Sequence, residues 1–241
     1  MTIQPQETTQ QNRISNTLVR IFAVVLMVFV TLYPVVSEAN SDKIRRPLDL
    51  PAGGGKGDED EDETIPDLIL FYGNQYEGDA FVWVLDVSGS MGNGDLMATL
   101  REQFTGAVSS LSSDTDFGAI AFSSNLRHFD WKCKEATSSR KSTACAWICS
   151  ILPVGGTCIA TAVVRGLEIV RTSDKENRRV IVVGDGLPEC GLTPAEALAD
   201  ISYHNYDRIP IDTVFVGTNP MGMQFFQRLA STNYGRAVVS Q

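Results

Sequence analysis

The chain has 241 residues, 43% of them hydrophobic, with three Trp and eleven Phe; that is material for one large or two small packed domains and too apolar for a disordered polypeptide. The formal charge is −9, and the Lys and Arg residues are scattered instead of gathered on one face. Nucleic acid is thereby excluded as a partner, because a phosphate-tracking surface needs clustered cations.

Residues 1–20 are polar, and the run from Ile21 to Val36, "IFAVVLMVFVTLYPVV", is apolar or neutral throughout. It is short of the roughly 20 residues that a spanning helix needs, and Pro34 followed by small residues at Ser37 and Ala39 has the pattern of a signal-peptide cleavage site. Residues 1–39 therefore predict export, to a secreted, periplasmic or surface location. The competing reading is an uncleaved anchor through 21–36, helped by Lys43, Arg45 and Arg46 just beyond the run. A core helix fits least, since the segment is apolar on every face.

Residues 40–67 read as a flexible acidic linker. Three consecutive glycines are followed by six consecutive acids from Asp58 to Glu63, and like charges at that density repel one another and bury nothing. The run lacks the spaced ligands and fixed glycine of an EF-hand loop.

From residue 68 to residue 241 the pattern alternates between strands and helices. "AFVWVLDVS" (80–88) is a continuous apolar run ending on polar residues, as expected of a central parallel strand covered on both faces. A helix over 95–111 carries Leu96, Leu100, Phe104, Val108 and Leu111 at helical spacing. "FGAIAFSS" (117–124) is a second strand, and "NLRHFDW" (125–131) alternates like an antiparallel edge strand beside it. A helix follows over 157–170, then a buried strand over 178–186 that ends on Asp185. Residues 193–205 form a helix with Thr193 as N-cap and Pro194 in its first turn. Strand 211–217, helix 222–232 and strand 235–240 complete the order. Repeated βα units predict an α/β fold, a doubly wound, mostly parallel sheet with helices on both faces, and such sheets bind ligands at the carboxyl ends of their strands.

At that end of the first central strand stands "DVSGSM", Asp86 to Met91. This matches the D-x-S-x-S signature of the metal-ion-dependent adhesion site in von Willebrand factor type A domains, and the chain from about Ala80 to Gln241 resembles that family in element order too. The family completes its site with a threonine and a second aspartate on later loops; "GGT" ending at Thr157 and "VVGDG" with Asp185 correspond. Gly184 departs from the pattern, standing where the family commonly has a hydroxyl residue.

The residue types make chemical sense. A Mg²⁺-like cation takes six oxygen ligands and keeps several waters. Neutral hydroxyls of Ser88, Ser90 and Thr157 suit direct ligation, with Asp86 and Asp185 behind them holding waters and orienting the serines, as the resemblance also implies. Few direct anions leave the ion electron-poor and one position open, which a partner's Asp or Glu can fill. Mg²⁺ or Mn²⁺ is expected, and Ca²⁺ also fits an oxygen site.

The five cysteines are Cys133, Cys145, Cys149, Cys158 and Cys190. In an exported chain they are disulfide candidates, and an odd number leaves at least one unpaired. Cys133, Cys145 and Cys149 lie in a polar insertion, 131–150, which suggests an internal staple there. Cys158 follows Thr157 and Cys190 lies five residues beyond Asp185, so a bridge between two site loops is the other pairing. Zinc fits poorly, with no C-x-x-C pair and only His128 and His204 as imidazoles.

No nucleophile elbow, Walker A loop, H-E-x-x-H or dinucleotide fingerprint is present. The expectation is an exported binding protein, not an enzyme, whose partner is a protein with an exposed acid. An assembly scaffold using another surface is the alternative, and a metal-dependent hydrolase is the less favoured one.

Overall fold

The computed structural model describes residues 66–240. The leader or anchor at 1–39, and the linker as far as residue 65, lie outside the described residues.

A seven-stranded sheet forms the centre. Its strands are β3 (Ala80–Asp86), β4 (Asp116–Phe122), β5 (Leu126–His128), β6 (Lys134–Glu135), β7 (Arg178–Gly184), β8 (Ile211–Phe215) and β9 (Ala237–Val239). They lie in the order β5-β4-β3-β7-β8-β9, with β6 also on β4. Strands β4, β3, β7, β8 and β9 run parallel, and β5 and β6 are antiparallel to β4. The expected doubly wound sheet is present, with a second, two-residue antiparallel piece at the edge where one was expected.

Every residue of β3 is buried, and its alternation divides the interior in two. Phe81, Trp83 and Leu85 point into one core, under helices α1 (Leu96–Ser110) and α2 (Ser138–Ser150). Ala80, Val82 and Val84 point into the other, under α3 (Ile159–Val170), α4 (Pro194–His204) and α5 (Pro220–Thr232). Period-2 alternation between two apolar layers is why this strand reads as continuously hydrophobic. The chain winds outward from β3 to β4, then crosses back over β3 to β7. That reversal makes the carboxyl end of β3 the switch point.

Two elements were not expected. Residues Asp67–Phe71 (β1) and Asn74–Gly78 (β2) form an antiparallel hairpin. Tyr72 and Gly73 turn it with φ of 47° and 70°, the conformation of a tight hairpin turn. Ile69, Phe71 and Tyr76 pack into the first core, while Leu68 and Leu70 face solvent. Asp67, read as the last linker residue, opens β1, and its Oδ2 accepts from Ser112 N at 2.6 Å and Thr115 Oγ1 at 2.5 Å.

The other is α2, in the stretch read as a polar insertion. Thr137 caps it by accepting from Arg140 N. Ala144 and Ile148 bury, with Trp147 packed against the same core. The internal staple is corrected here: Cys133, Cys145 and Cys149 are free. Cys133 lies in the second core and α2 rests on the first, so the sheet stands between Cys133 and the two helical thiols.

Candidate metal centre

Asp86 is the last residue of β3 and is fully buried. One of its oxygens, Oδ1, accepts from Ser88 N at 2.8 Å, which turns the chain out of the strand and into a single 3-10 turn, Gly89–Gly92. Met91 plugs the underside of that turn at 0% exposure. Ser88 Oγ and Ser90 Oγ are thereby brought to 3.1 Å.

Asp185 follows the last residue of β7, the strand paired with β3. Its Oδ1 accepts from Ser90 Oγ at 2.9 Å. Thr157 enters from the loop before α3. The loops are tied by backbone bonds: Gly89 N to Gly155 O at 2.8 Å, Val154 N to Val87 O at 2.9 Å and Glu189 N to Thr157 O at 3.0 Å. Gly155 has φ of +88°, and a Cβ there would lie 2.9 Å from Ser124 Oγ, so only glycine lets this loop close on the turn. The Thr157 hydroxyl in turn lies 4.0 Å from where a Cβ on Gly186 would sit, beside Asp185. All five residues singled out in the sequence, Asp86, Ser88, Ser90, Thr157 and Asp185, therefore stand on three loops at one end of the sheet.

The electrostatics at this end are unbalanced. Asp86 Oδ2 is buried with no hydrogen-bond partner, and neither Asp86 nor Asp185 joins a salt bridge among the described residues. Burial pushes the Asp86 carboxyl up to about 7, partly opposed by its bonds to Ser88, with Asp185 nearby adding to the rise. An uncompensated buried carboxylate beside clustered hydroxyls is a donor set that a hard divalent cation fits. Serine and threonine hydroxyls can ligate directly and the two aspartates can hold waters. Among the described residues no three His, Cys, Asp or Glu side chains gather as a metal cluster.

Gly184 has a steric reason. A Cβ at 184 would lie 2.8 Å from Phe226 Cζ and 2.9 Å from Asp86 Oδ2. Phe226 therefore fills the space that a hydroxyl side chain needs.

A disulfide joins Cys158 to Cys190, with Cα atoms 5.0 Å apart. It fastens the Thr157 loop to the Asp185 loop, which is the second of the two pairings considered. Sequence reasoning missed Glu189, whose Oε2 lies 2.8 Å from where a Cβ on Gly156 would be. Its signal was an acid beside Cys190 on a site loop. His128 does not join the site: it stacks on Trp131 at 3.8 Å, and burial with the Arg165 charge lowers its pKa. His204 bonds Asp200 O on α4, so neither histidine is placed as a base there.

Residues 81–187 match the model of a von Willebrand factor type A domain family. The human inter-alpha-trypsin inhibitor heavy chain H2 is 27% identical over 183 residues, 73% of this chain and 18% of that protein. The chain thus spans under a fifth of the length of the curated relatives it matches. A von Willebrand factor type A structure from Catenulispora acidiphila superposes with a TM-score of 0.61 at 18% identity, covering 73% of this chain and 46% of that one. The manganese-loaded TRAP protein of Plasmodium vivax gives 0.50 at 20% identity, covering 64% and 63%. Family model, relatives and fold neighbours all support a von Willebrand factor A-type α/β domain.

Proposed function

We propose that this von Willebrand factor A-type domain is an exported binding module that takes a protein ligand through a divalent cation, Mg²⁺ or Mn²⁺. Ser88, Ser90 and Thr157 would ligate the ion, with Asp86 and Asp185 behind them, and an acidic side chain of the partner would complete its shell. The observation that carries this reading is the Ser88–Ser90–Asp185 chain of contacts across two strand ends, beside a buried Asp86 oxygen with no hydrogen-bond partner among the described residues. The manganese-loaded neighbour and a fold neighbour described as a pilus adhesin support it. The leader and linker preceding Asp67 would present the domain beyond a membrane. No catalytic role is assigned, because both histidines lie away from the hydroxyl cluster and its carboxylates are taken up in the proposed ion site.

The test is thermal unfolding of the full chain with millimolar Mg²⁺ or Mn²⁺. A ligand held only by the folded state raises stability by about 2.7 kcal/mol at a hundred times its Kd. The rise should vanish in Asp86→Ala; an equal rise in that variant would remove the ion from this site.

The scaffold reading has one observation in its favour. Tyr203, Tyr206 and Tyr234 are exposed at the opposite end of the sheet, where Arg171 lies over Tyr206 at 4.2 Å and Arg208 over Tyr234 at 5.9 Å, a composition typical of interface anchors. Binding that survives chelator but is lost in Tyr206→Ala would select it.

A further inference from the structure

Beside the candidate ion site a groove of about 470 Å³ runs between α4 and α5. Leu187, two residues beyond Asp185, forms its near wall, Leu198 and Phe225 its floor, and Met221 its rim. Met221 is 64% exposed. Arg228 closes the far end. It joins no salt bridge among the described residues. The groove is therefore mostly apolar, with Thr193 and Gln224 as its polar lining, and cationic at its far end, and its near end adjoins the site proposed for a cation.

Both helices start at the carboxyl ends of the strands, so the groove leads away from the metal face. Met221 and Arg228 stand seven positions apart on α5, about 10 Å along the helix axis. An extended peptide covers that distance in about three residues.

We propose that this groove reads the partner of the ion: an extended segment whose acid meets the cation lays an apolar side chain, two to four residues away, between α4 and α5, with a second acid toward Arg228. Charge complementarity with Arg228 at the far end, and continuity through the Asp185–Leu187 loop with the site proposed for the ion, select this occupant over a purely apolar one. The inference rests on the ion reading and adds the specificity that a lone carboxylate cannot supply.

The experiment pans phage-displayed random 12-residue peptides against the full chain in millimolar Mg²⁺, and in parallel against Ala195→Arg. Ala195 is an exposed lining residue, and arginine there would fill the groove without touching the site loops. Enriched peptides should carry an acid with an apolar residue at fixed spacing. The synthetic peptide should bind Ala195→Arg about 10-fold or more weakly, and replacing its apolar residue by serine should cost affinity for the wild type but not for Ala195→Arg. Mg²⁺ affinity by calorimetry should be equal in both proteins. No enrichment, or acidic peptides indifferent to Ala195→Arg, would overturn the groove while leaving Mg²⁺ binding intact. Apolar peptides sensitive to Ala195→Arg but indifferent to Mg²⁺ would overturn the ion reading instead.

Discussion

Ser90 Oγ donates to Asp185 Oδ1 at 2.9 Å across 95 positions of sequence. The bond orients a hydroxyl on the turn after β3 by means of a carboxylate on the loop after β7, and both residues depend on the pairing of those strands. If Asp185 acts by orienting Ser90 and holding water, Asp185→Asn should raise the Kd for Mg²⁺ about 10- to 100-fold while leaving the fold unchanged. Calorimetry checks it, and an unaltered Kd would show that Asp185 contributes nothing to the ion.

Gly184→Ser restores the hydroxyl residue common in the family, yet it should destabilise this protein. The new Cβ meets Phe226 Cζ and Asp86 Oδ2 inside 3 Å, an overpacking that costs about 1–3 kcal/mol. Adding Phe226→Leu should recover part of the loss. Thermal unfolding of the single and double variants decides it.

The thiols should be distinguishable by access. Without reductant, alkylation of the native protein should label Cys149 and Cys145. Cys133, buried and with its thiol pushed up by that burial, should react only after denaturation. Cys158 and Cys190 should need reduction. Cys158→Ser with Cys190→Ser should cost about 2–4 kcal/mol. Five labelled cysteines in unreduced, denatured protein would contradict the bridge.

Acid sensitivity should centre on Asp130. Burial raises its pKa, but bonds from Lys134 at 2.8 Å and Arg140 at 2.7 Å outweigh that and hold the carboxyl at about 2, below its ordinary 3.8. A depressed carboxyl stabilises the fold fully above its unfolded value and loses that contribution as pH falls through its folded one. Asp130→Asn should therefore cost about 1 kcal/mol at pH 7, and the difference should fade between pH 4 and pH 2. A gap constant down to pH 2 would assign the loss to packing.

The strands were legible where burial on both faces left an uninterrupted apolar run, as in β3 and β7. The site was legible because its hydroxyls and carboxylates follow those runs directly. Thr193 and Pro194 announced α4, and the structure adds a capping box closed by Glu196. The hairpin was hidden because its turn is Tyr72-Gly73 without the usual Asn-Gly, and because Leu68 and Leu70 break the expected contrast by facing solvent. Helix α2 was hidden by six Ser and Thr between 137 and 150, weak helix formers that leave only a narrow apolar stripe. The groove could not be read at all, since Leu187, Leu198 and Met221 meet only when β7 and β8 bring their helices side by side.

The crossover from β4 back to β7 also bears on time. The oxygens that would hold the ion come from residues 86–90, 157 and 185, so the cage exists only after both long-range parallel pairings with β3 have formed. Such pairings close late, because loop-closure entropy opposes them until neighbouring contacts are in place. A cation would then find nothing to bind in the folding transition state. Mg²⁺ should leave the refolding rate untouched and act wholly by slowing escape from the native state, so that the domain, once loaded, is held by a kinetic lock closed after assembly.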